Sequence, residues 1–381
     1  MIYLNNAATS YPKPREVHEA IASYLAREPF HAGRVGFERQ REDAVWICRQ
    51  RLATLFGVED PTHIVFTSGA TESLNLALLG SNLKGHVVTT AVEHNSVLRP
   101  LQRLRHEQGL ELTVVDCDAN GQVAPSDIAR AIRPDTGAVV VNHGSNVTGA
   151  VLDLEAVGRI ARQHAVLFVV DASQSAGVEP IDVKTQSIDL LAFAGHKSLY
   201  GVPGIGGLYI RDALSLRPLK VGGTGIRSDL LDQPRQMPLY YEAGTANMPG
   251  IVALSAGVNF VLQEGIDAIA RRKRRHVERL VAELATIPGV VLYAPDVARA
   301  SAGMLSFNLE GINPEEAGYM LEESFGIVAR TGLHCAPLIH QALGSFPAGS
   351  IRVSPSCFTT SGDIDRLIEA VKAMAEVGVV A

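Results

Sequence analysis

Short uninterrupted apolar runs alternate with amphipathic stretches through the middle of the chain. The runs fall at 64–67, 87–90, 112–115, 138–142, 167–170, 190–193 and 205–210, each the length of a strand. Between the earlier runs, apolar residues recur at helical spacing over 72–79, 97–108, 126–132 and 154–164. Strands that are apolar at nearly every position and take turns with helices predict an α/β fold, a mostly parallel sheet covered by helices on both faces. Ahead of this block, residues 3–11 read as extended, and Pro12 and Pro14 introduce a helix marked by Val17, Ile21 and Leu25. His31-Ala32-Gly33-Arg34 breaks it, and a second helix is expected over 37–56. After Met248-Pro249-Gly250 the rhythm changes. A long helical region is expected over 251–286, then strands near 290–293, 304–309 and 351–354, with helices over 314–324 and 361–374. The division that follows is a large domain at 14–247 and a smaller α+β domain built from 1–13 and 248–381.

Composition narrows the class. The 381 residues are 46% apolar, enough for a substantial core and for two domains. A net charge of −6 and a pI near 6.1 give no reason to expect nucleic acid as a partner. The basic run Arg271-Arg272-Lys273-Arg274-Arg275 lies inside a helical pattern and reads as a solvated helix face, a phosphate or partner patch being the alternative. No uncharged apolar run is long enough to span a bilayer, and residues 1–6 lack the basic-then-apolar pattern of a signal peptide, so no membrane association is expected. Cys48, Cys117, Cys335 and Cys357 are too scattered for a disulfide framework or a metal site, so a reducing, cytoplasmic setting is expected.

The candidate chemistry sits just beyond the strands. Lys197, in Gly195-His196-Lys197-Ser198, follows the run at 190–193. A lysine there caps a helix or reaches solvent, or, if desolvated, loses its proton and attacks a carbonyl. Asp171, in Asp171-Ala172-Ser173-Gln174, ends the neighbouring run at 167–170. Pyridoxal phosphate (PLP) enzymes need such a pair, a lysine for the Schiff base and an acid for the pyridinium nitrogen. Gly69-Ala70-Thr71-Glu72 follows a strand and opens a helix, which suits a phosphate or an ordinary helix cap. His94, in Glu93-His94-Asn95, stacks on a ring, moves protons or is merely structural, and Asn146 is a turn residue or a substrate donor.

These pieces occur in one order, each near a strand end, and together they resemble the class V aminotransferases of PLP fold type I, within them the cysteine desulfurases and selenocysteine lyases. The resemblance spans the chain and includes Asn6-Ala7-Ala8-Thr9, Ser145-Asn146-Val147-Thr148-Gly149, Glu242-Ala243-Gly244-Thr245, Arg330-Thr331-Gly332-Leu333-His334-Cys335-Ala336-Pro337 and Ile351-Arg352-Val353-Ser354. It implies a Schiff base and proton shuttle at Lys197, Asp171 on the pyridinium nitrogen, His94 stacked on the ring and Gln174 on its phenolic oxygen. It implies Ala70, Thr71 and His196 around the phosphate, and Thr245 reaching the phosphate of a partner subunit in a homodimer. Arg352, assisted by Asn146, would bind the substrate carboxylate, a bidentate task for a guanidinium, and Arg330 is a further substrate-binding candidate. Two departures stand out: Ala194, where the family commonly has a hydroxyl, and Phe358-Thr359-Thr360, where relatives often have an aromatic-Asn-Thr run.

Cys335 selects among the family's reactions. An arginine and a histidine flank it, and positive neighbours favour the nucleophilic thiolate. By resemblance, Cys335 attacks the sulfur of L-cysteine, leaving alanine and a persulfide that passes to an acceptor protein. Selenocysteine lysis, transamination and epimerisation are the alternatives within the family, and a PLP-binding protein without turnover is the alternative outside it. The three other cysteines read as buried or incidental thiols, Cys357 being the one worth testing because it lies near Arg352 in sequence.

Overall fold

The computed structural model describes residues 1–26, 43–296 and 301–378. In chain order its elements are β1 (Ile2–Tyr3), α1 (Arg15–Leu25), α2 (Ala44–Phe56), β2 (Ile64–Thr67), α3 (Ala70–Gly80), β3 (His86–Thr90), α4 (Asn95–Gln108), β4 (Glu111–Val115), α5 (Pro125–Ala131), β5 (Thr136–Asn142), α6 (Leu154–Gln163), β6 (Leu167–Asp171), β7 (Leu190–Ala194) and β8 (Gly206–Ile210). There follow α7 (Met248–Glu264), α8 (Ile266–Leu284), β9 (Val290–Tyr293), β10 (Leu305–Leu309), α9 (Pro314–Phe325), β11 (Ile327–Val328), α10 (Pro337–Ala342), β12 (Ile351–Val353) and α11 (Ser361–Gly378).

The central sheet has seven strands in the order β2-β8-β7-β6-β5-β3-β4. All run parallel except β8, which is antiparallel to both β7 and β2. Alternation along each strand sorts the core. Val139, Val141, Phe168, Val170 and Leu191 pack on one face with Leu52, Phe56, Val157 and Leu254. Ala138, Val140, Val169, Leu190 and Ala192 pack on the other with Leu74, Leu78, Leu101 and Leu104. Both faces are therefore apolar, which is why these strands read as continuous runs rather than alternating ones.

A three-stranded antiparallel sheet, β12-β10-β9, carries a separate core with α8, α9 and α11. Ile2 and Leu4 join that core, and β1 pairs parallel with β11. The chain then crosses to the large sheet: Ser10 N donates to His196 O at 3.1 Å, and Asn6 Nδ2 to Ser354 O at 2.9 Å. Residues 1–13 thus strap the smaller sheet to the turn that carries Lys197.

Two expectations need revision. The long helix over 251–286 is two helices bent by 83° at Gly265, whose N–H bonds back to Val261 O. Its first half, α7, packs on α1 and α2, and Leu254, Val258 and Val261 lie in the core of the large sheet. The basic run is not wholly solvated either. Lys273 is 5% exposed, because the helical period turns it inward while Arg271, Arg272 and Arg275 face out. The break at His31–Arg34 and the start of the helix expected over 37–56 lie outside the described residues. No single helix among the described residues is long and apolar enough to cross a membrane.

Candidate active site

The strands β7, β6, β5 and β3 are consecutive in the sheet and parallel, so their carboxyl ends lie along one edge. Asp171 is the last residue of β6, and Lys197, Asn146 and His94 follow the ends of β7, β5 and β3. Ligands of open α/β sheets bind outside this edge. Register fixes the neighbours: Asp171 is opposite Ala192 on one side and Asn142 on the other.

Asp171 is buried, and its Oδ1 accepts from Ser173 N at 2.9 Å and from the Ser173 hydroxyl. Lys197 is half-buried in the turn beyond β7, and burial lowers its amine to about 8. Asp171 and Cys335 oppose that shift, while Arg352 and Arg330 reinforce it, so all five groups act on one region. His94 caps α4: its Nδ1 accepts from Ser96 N at 3.0 Å, which leaves the ring proton on Nε2. Burial holds this ring neutral, with its titration lowered to about 4.

Arg352, on β12, is fully buried with no carboxylate against it among the described residues. Nη1 donates to Asn146 O at 2.8 Å, Nη2 to Asn5 Oδ1 at 3.3 Å, and Nε has no partner in this structure. Burial first, and Arg330 second, lower its guanidinium to about 9. Asn146 Nδ2 donates to His334 O at 2.7 Å and its Oδ1 is unpartnered. A buried guanidinium with a free N–H edge beside an unpaired amide oxygen suits an amino-acid ligand, whose carboxylate takes the guanidinium and whose N–H can meet the oxygen.

Cys335 sits at the tip of a pinned loop. Its carbonyl accepts from Asn95 N at 2.7 Å, at the start of α4, and the preceding carbonyl is held by Asn146. Gly332 and Ser350 exchange two backbone bonds of 3.1 Å behind it. His334 and Cys335 both take left-handed backbone conformations, φ 50° and 59°, uncommon for residues with a side chain. The thiol is exposed, with Arg330 Nη2 at 3.7 Å from Sγ.

The phosphate turn is open on the site side. A Cβ added to Gly69 would meet nothing within 4 Å, whereas one added to Gly206 on β8 would lie 2.7 Å from Gly69 Cα. The glycine run after Lys197 lets β8 press the turn forward. Ala70 and Thr71 open α3, and the Thr71 hydroxyl meets Ser96 Oγ at 2.9 Å, which in turn meets His94 Nδ1 at 2.9 Å. His196 contributes a buried Nδ1 without a partner. A helix start, a hydroxyl and an unpartnered ring nitrogen fit a phosphate, and with Lys197 and Asp171 they fit PLP. Gln174 is buried and its Nε2 donates to Ala7 O at 2.9 Å. Thr245 is exposed, in the loop before α7. Ala194 ends β7, buried against β8.

Four contributors were not singled out from the sequence. Asn5 supports Arg352 from the N-terminal strap, and nothing in its local sequence signals that contact. Ser10 and Lys13 join Thr9 on the His196 carbonyl, Lys13 Nζ at 2.9 Å. Glu93, beside His94, is fully buried, which a charged residue between a strand and a helix does not advertise. Of the remaining cysteines, Cys48 is buried in α2 and Cys357 holds Tyr200 Oη at 3.0 Å.

The profile of the family described as Aminotransferase class-V matches residues 2–367. A probable cysteine desulfurase of Methanothermobacter thermautotrophicus is 32% identical over 99% of this chain and 95% of its own length. One of Pyrococcus abyssi is 33% identical over 97% of this chain and 92% of its own. Among solved structures, the apo cysteine desulfurase of Thermococcus onnurineus is 33% identical, superposes with a TM-score of 0.91 and covers 99% of this chain and 95% of that one. The cysteine desulfurase CsdA of Escherichia coli, solved as an S-sulfonic acid, is 27% identical with a TM-score of 0.89 over 98% of this chain and 94% of that one.

Proposed function

The chain belongs to the class V aminotransferase family, and on that premise we propose that it is a PLP-dependent cysteine desulfurase, converting L-cysteine to L-alanine and leaving the sulfur on Cys335. The observation that carries the reading is the pinned loop that sets the Cys335 thiol and Arg330 over the site shared by Lys197, Asp171 and Arg352.

Lys197, Asp171, His94, Gln174 and the donors Ala70, Thr71 and His196 would hold PLP, which when bound supplies an aldehyde to the lysine and an electron-accepting ring to the substrate. Asp171 offers a buried carboxylate to a cationic N–H. Arg352 binds the substrate carboxylate through Nε and a free Nη hydrogen, its other face being occupied by Asn146 O and Asn5 Oδ1. Asn146 Oδ1 is free to accept from the substrate's N–H. The Lys197 amine, lowered to about 8, takes the proton from the substrate Cα and returns one to the carbon skeleton. Cys335 Sγ attacks the substrate sulfur: the S–S bond forms as the substrate Cβ–S bond breaks, and the skeleton leaves as alanine. Arg330, with Nη2 3.7 Å from Cys335 Sγ, favours the sulfur anion.

An exposed Cys335 suits hand-over to a sulfur-acceptor protein. An exposed Thr245 suits a homodimer in which it reaches the neighbouring phosphate, and unpaired cysteines suit a reducing cytoplasm. The test is Cys335→Ala assayed with L-cysteine. Alanine formation falls to background while PLP uptake stays at the wild-type level. Turnover at the wild-type rate contradicts the persulfide mechanism and leaves the alternatives without a nucleophilic thiol.

A further inference from the structure

Glu93 is a buried acid with one hand full and the other empty. Its Oε1 accepts from Thr90 Oγ1 at 2.6 Å and from Asn142 N at 2.9 Å. Its Oε2 is buried and has no partner among the described residues. The side chain is 0% exposed. A bare buried oxygen on an ionised carboxylate is uncompensated charge, whereas on the neutral acid it is one unshared O–H, a much smaller cost. The charged group that acts on Glu93 is another carboxylate, Asp171 on β6, while Thr90 and Asn142, from β3 and β5, are neutral donors.

The contacts also place Glu93 at a junction. Asn142 is opposite Asp171 in the sheet, and the next residue, His143, donates its N–H to Asp171 O at 3.0 Å. Asn142 Nδ2 in turn donates to Val92 O at 3.3 Å, so the β3 and β5 ends are cross-tied on both sides of Glu93. The following residue is His94. One side chain therefore fixes the strand ends that present both the acid and the imidazole.

We propose that Glu93 is a positioning residue that acts as a neutral carboxylic acid, locking the ends of β3 and β5 so that His94 and Asp171 face the cofactor while Asp171 remains the single negative charge at that edge. This rests on the PLP reading above. Burial pushes the Glu93 carboxyl up to about 8, with Asp171 adding to the rise, as a neutral acid requires. The sign follows from linkage. Between the ordinary glutamate range and about pH 8, the folded protein keeps a proton that the unfolded chain has lost, so Glu93 costs stability progressively as pH rises through that window.

The experiment compares wild type, Glu93→Gln and Glu93→Asp by PLP titration of the cofactor-free protein and by its melting temperature from pH 5 to pH 9. Gln reproduces the neutral shape, so its PLP affinity stays within about threefold of wild type and its melting temperature gains on wild type by several degrees between the ends of the range. Asp withdraws the carboxyl from Asn142 N and loses about tenfold or more in PLP affinity. Loss of PLP affinity in Glu93→Gln equal to that in Glu93→Asp overturns the neutral-acid role, as does a melting difference between wild type and Gln that does not change with pH. Wild-type protein that takes up no PLP overturns the cofactor reading itself, which the Gln and Asp outcomes do not touch.

Discussion

Replacing Arg352 by lysine keeps a positive charge and removes the fork. In the native site Nη1 and Nη2 are engaged by Asn146 O and Asn5 Oδ1, and Nε points to no protein partner. The substrate carboxylate is then bound by Nε and one remaining Nη hydrogen. A single ammonium reproduces at most one of these bonds, and it leaves the Asn146 carbonyl short of its donor. A charge-assisted hydrogen bond contributes about 1.5–3 kcal/mol, and an orphaned buried carbonyl costs about 1 kcal/mol more. The first term falls on substrate binding, about 1.5–3 kcal/mol or roughly 13- to 160-fold in kcat/KM, and the second falls on the stability of the variant. Because Arg352 holds a group that does not react, most of the loss belongs in KM. The assay is steady-state alanine formation over a wide range of L-cysteine concentrations, with PLP content measured on the same samples. A variant with full PLP content and a kcat/KM within about threefold of wild type refutes the carboxylate assignment. A collapse of kcat at unchanged KM assigns Arg352 to a later step instead.

Two further outcomes follow from the same geometry. Lys197 is nucleophilic only as the free amine, so the rate at which cofactor-free protein captures PLP rises as pH is raised through about 8, followed by absorbance; a rate flat from pH 6 to pH 10 contradicts the lowered amine. At Gly349, φ is 80° and a Cβ would stand 2.2 Å from Gly332 C, so Gly349→Ala pushes apart the base of the Cys335 loop. That variant melts lower by an amount equivalent to about 2 kcal/mol or more and loses sulfur transfer before it loses PLP uptake; an unchanged melting curve shows the loop to be looser than its hydrogen bonds imply.

The central sheet was legible because both its faces are covered. Val139 and Val141 serve one core and Ala138 and Val140 the other, so strand and apolar run coincide. What escaped the pattern was decided by tertiary contacts. The pair Ile2–Tyr3 and Ile327–Val328 is too short to carry a period and exists because the N-terminal strap docks. The turn between α7 and α8 needs one glycine, which a continuous apolar pattern hides. Lys273 lies among arginines that face solvent, and only the helix phase separates it from them. At the site, the residues that follow strand ends could be read in order. Their supports could not: Asn5, Asn95 and Glu93 act through a backbone atom or a neighbour distant in sequence.

The destination of the sulfur distinguishes the persulfide route from the others. Full-length protein loaded with PLP and treated with L-cysteine, then digested under non-reducing conditions and examined by mass spectrometry, reports this directly. The peptide containing Cys335 gains the mass of one sulfur atom while alanine appears, and the peptides of Cys48, Cys117 and Cys357 are unchanged. Alanine formation with the added sulfur on another cysteine, or on none, contradicts the account.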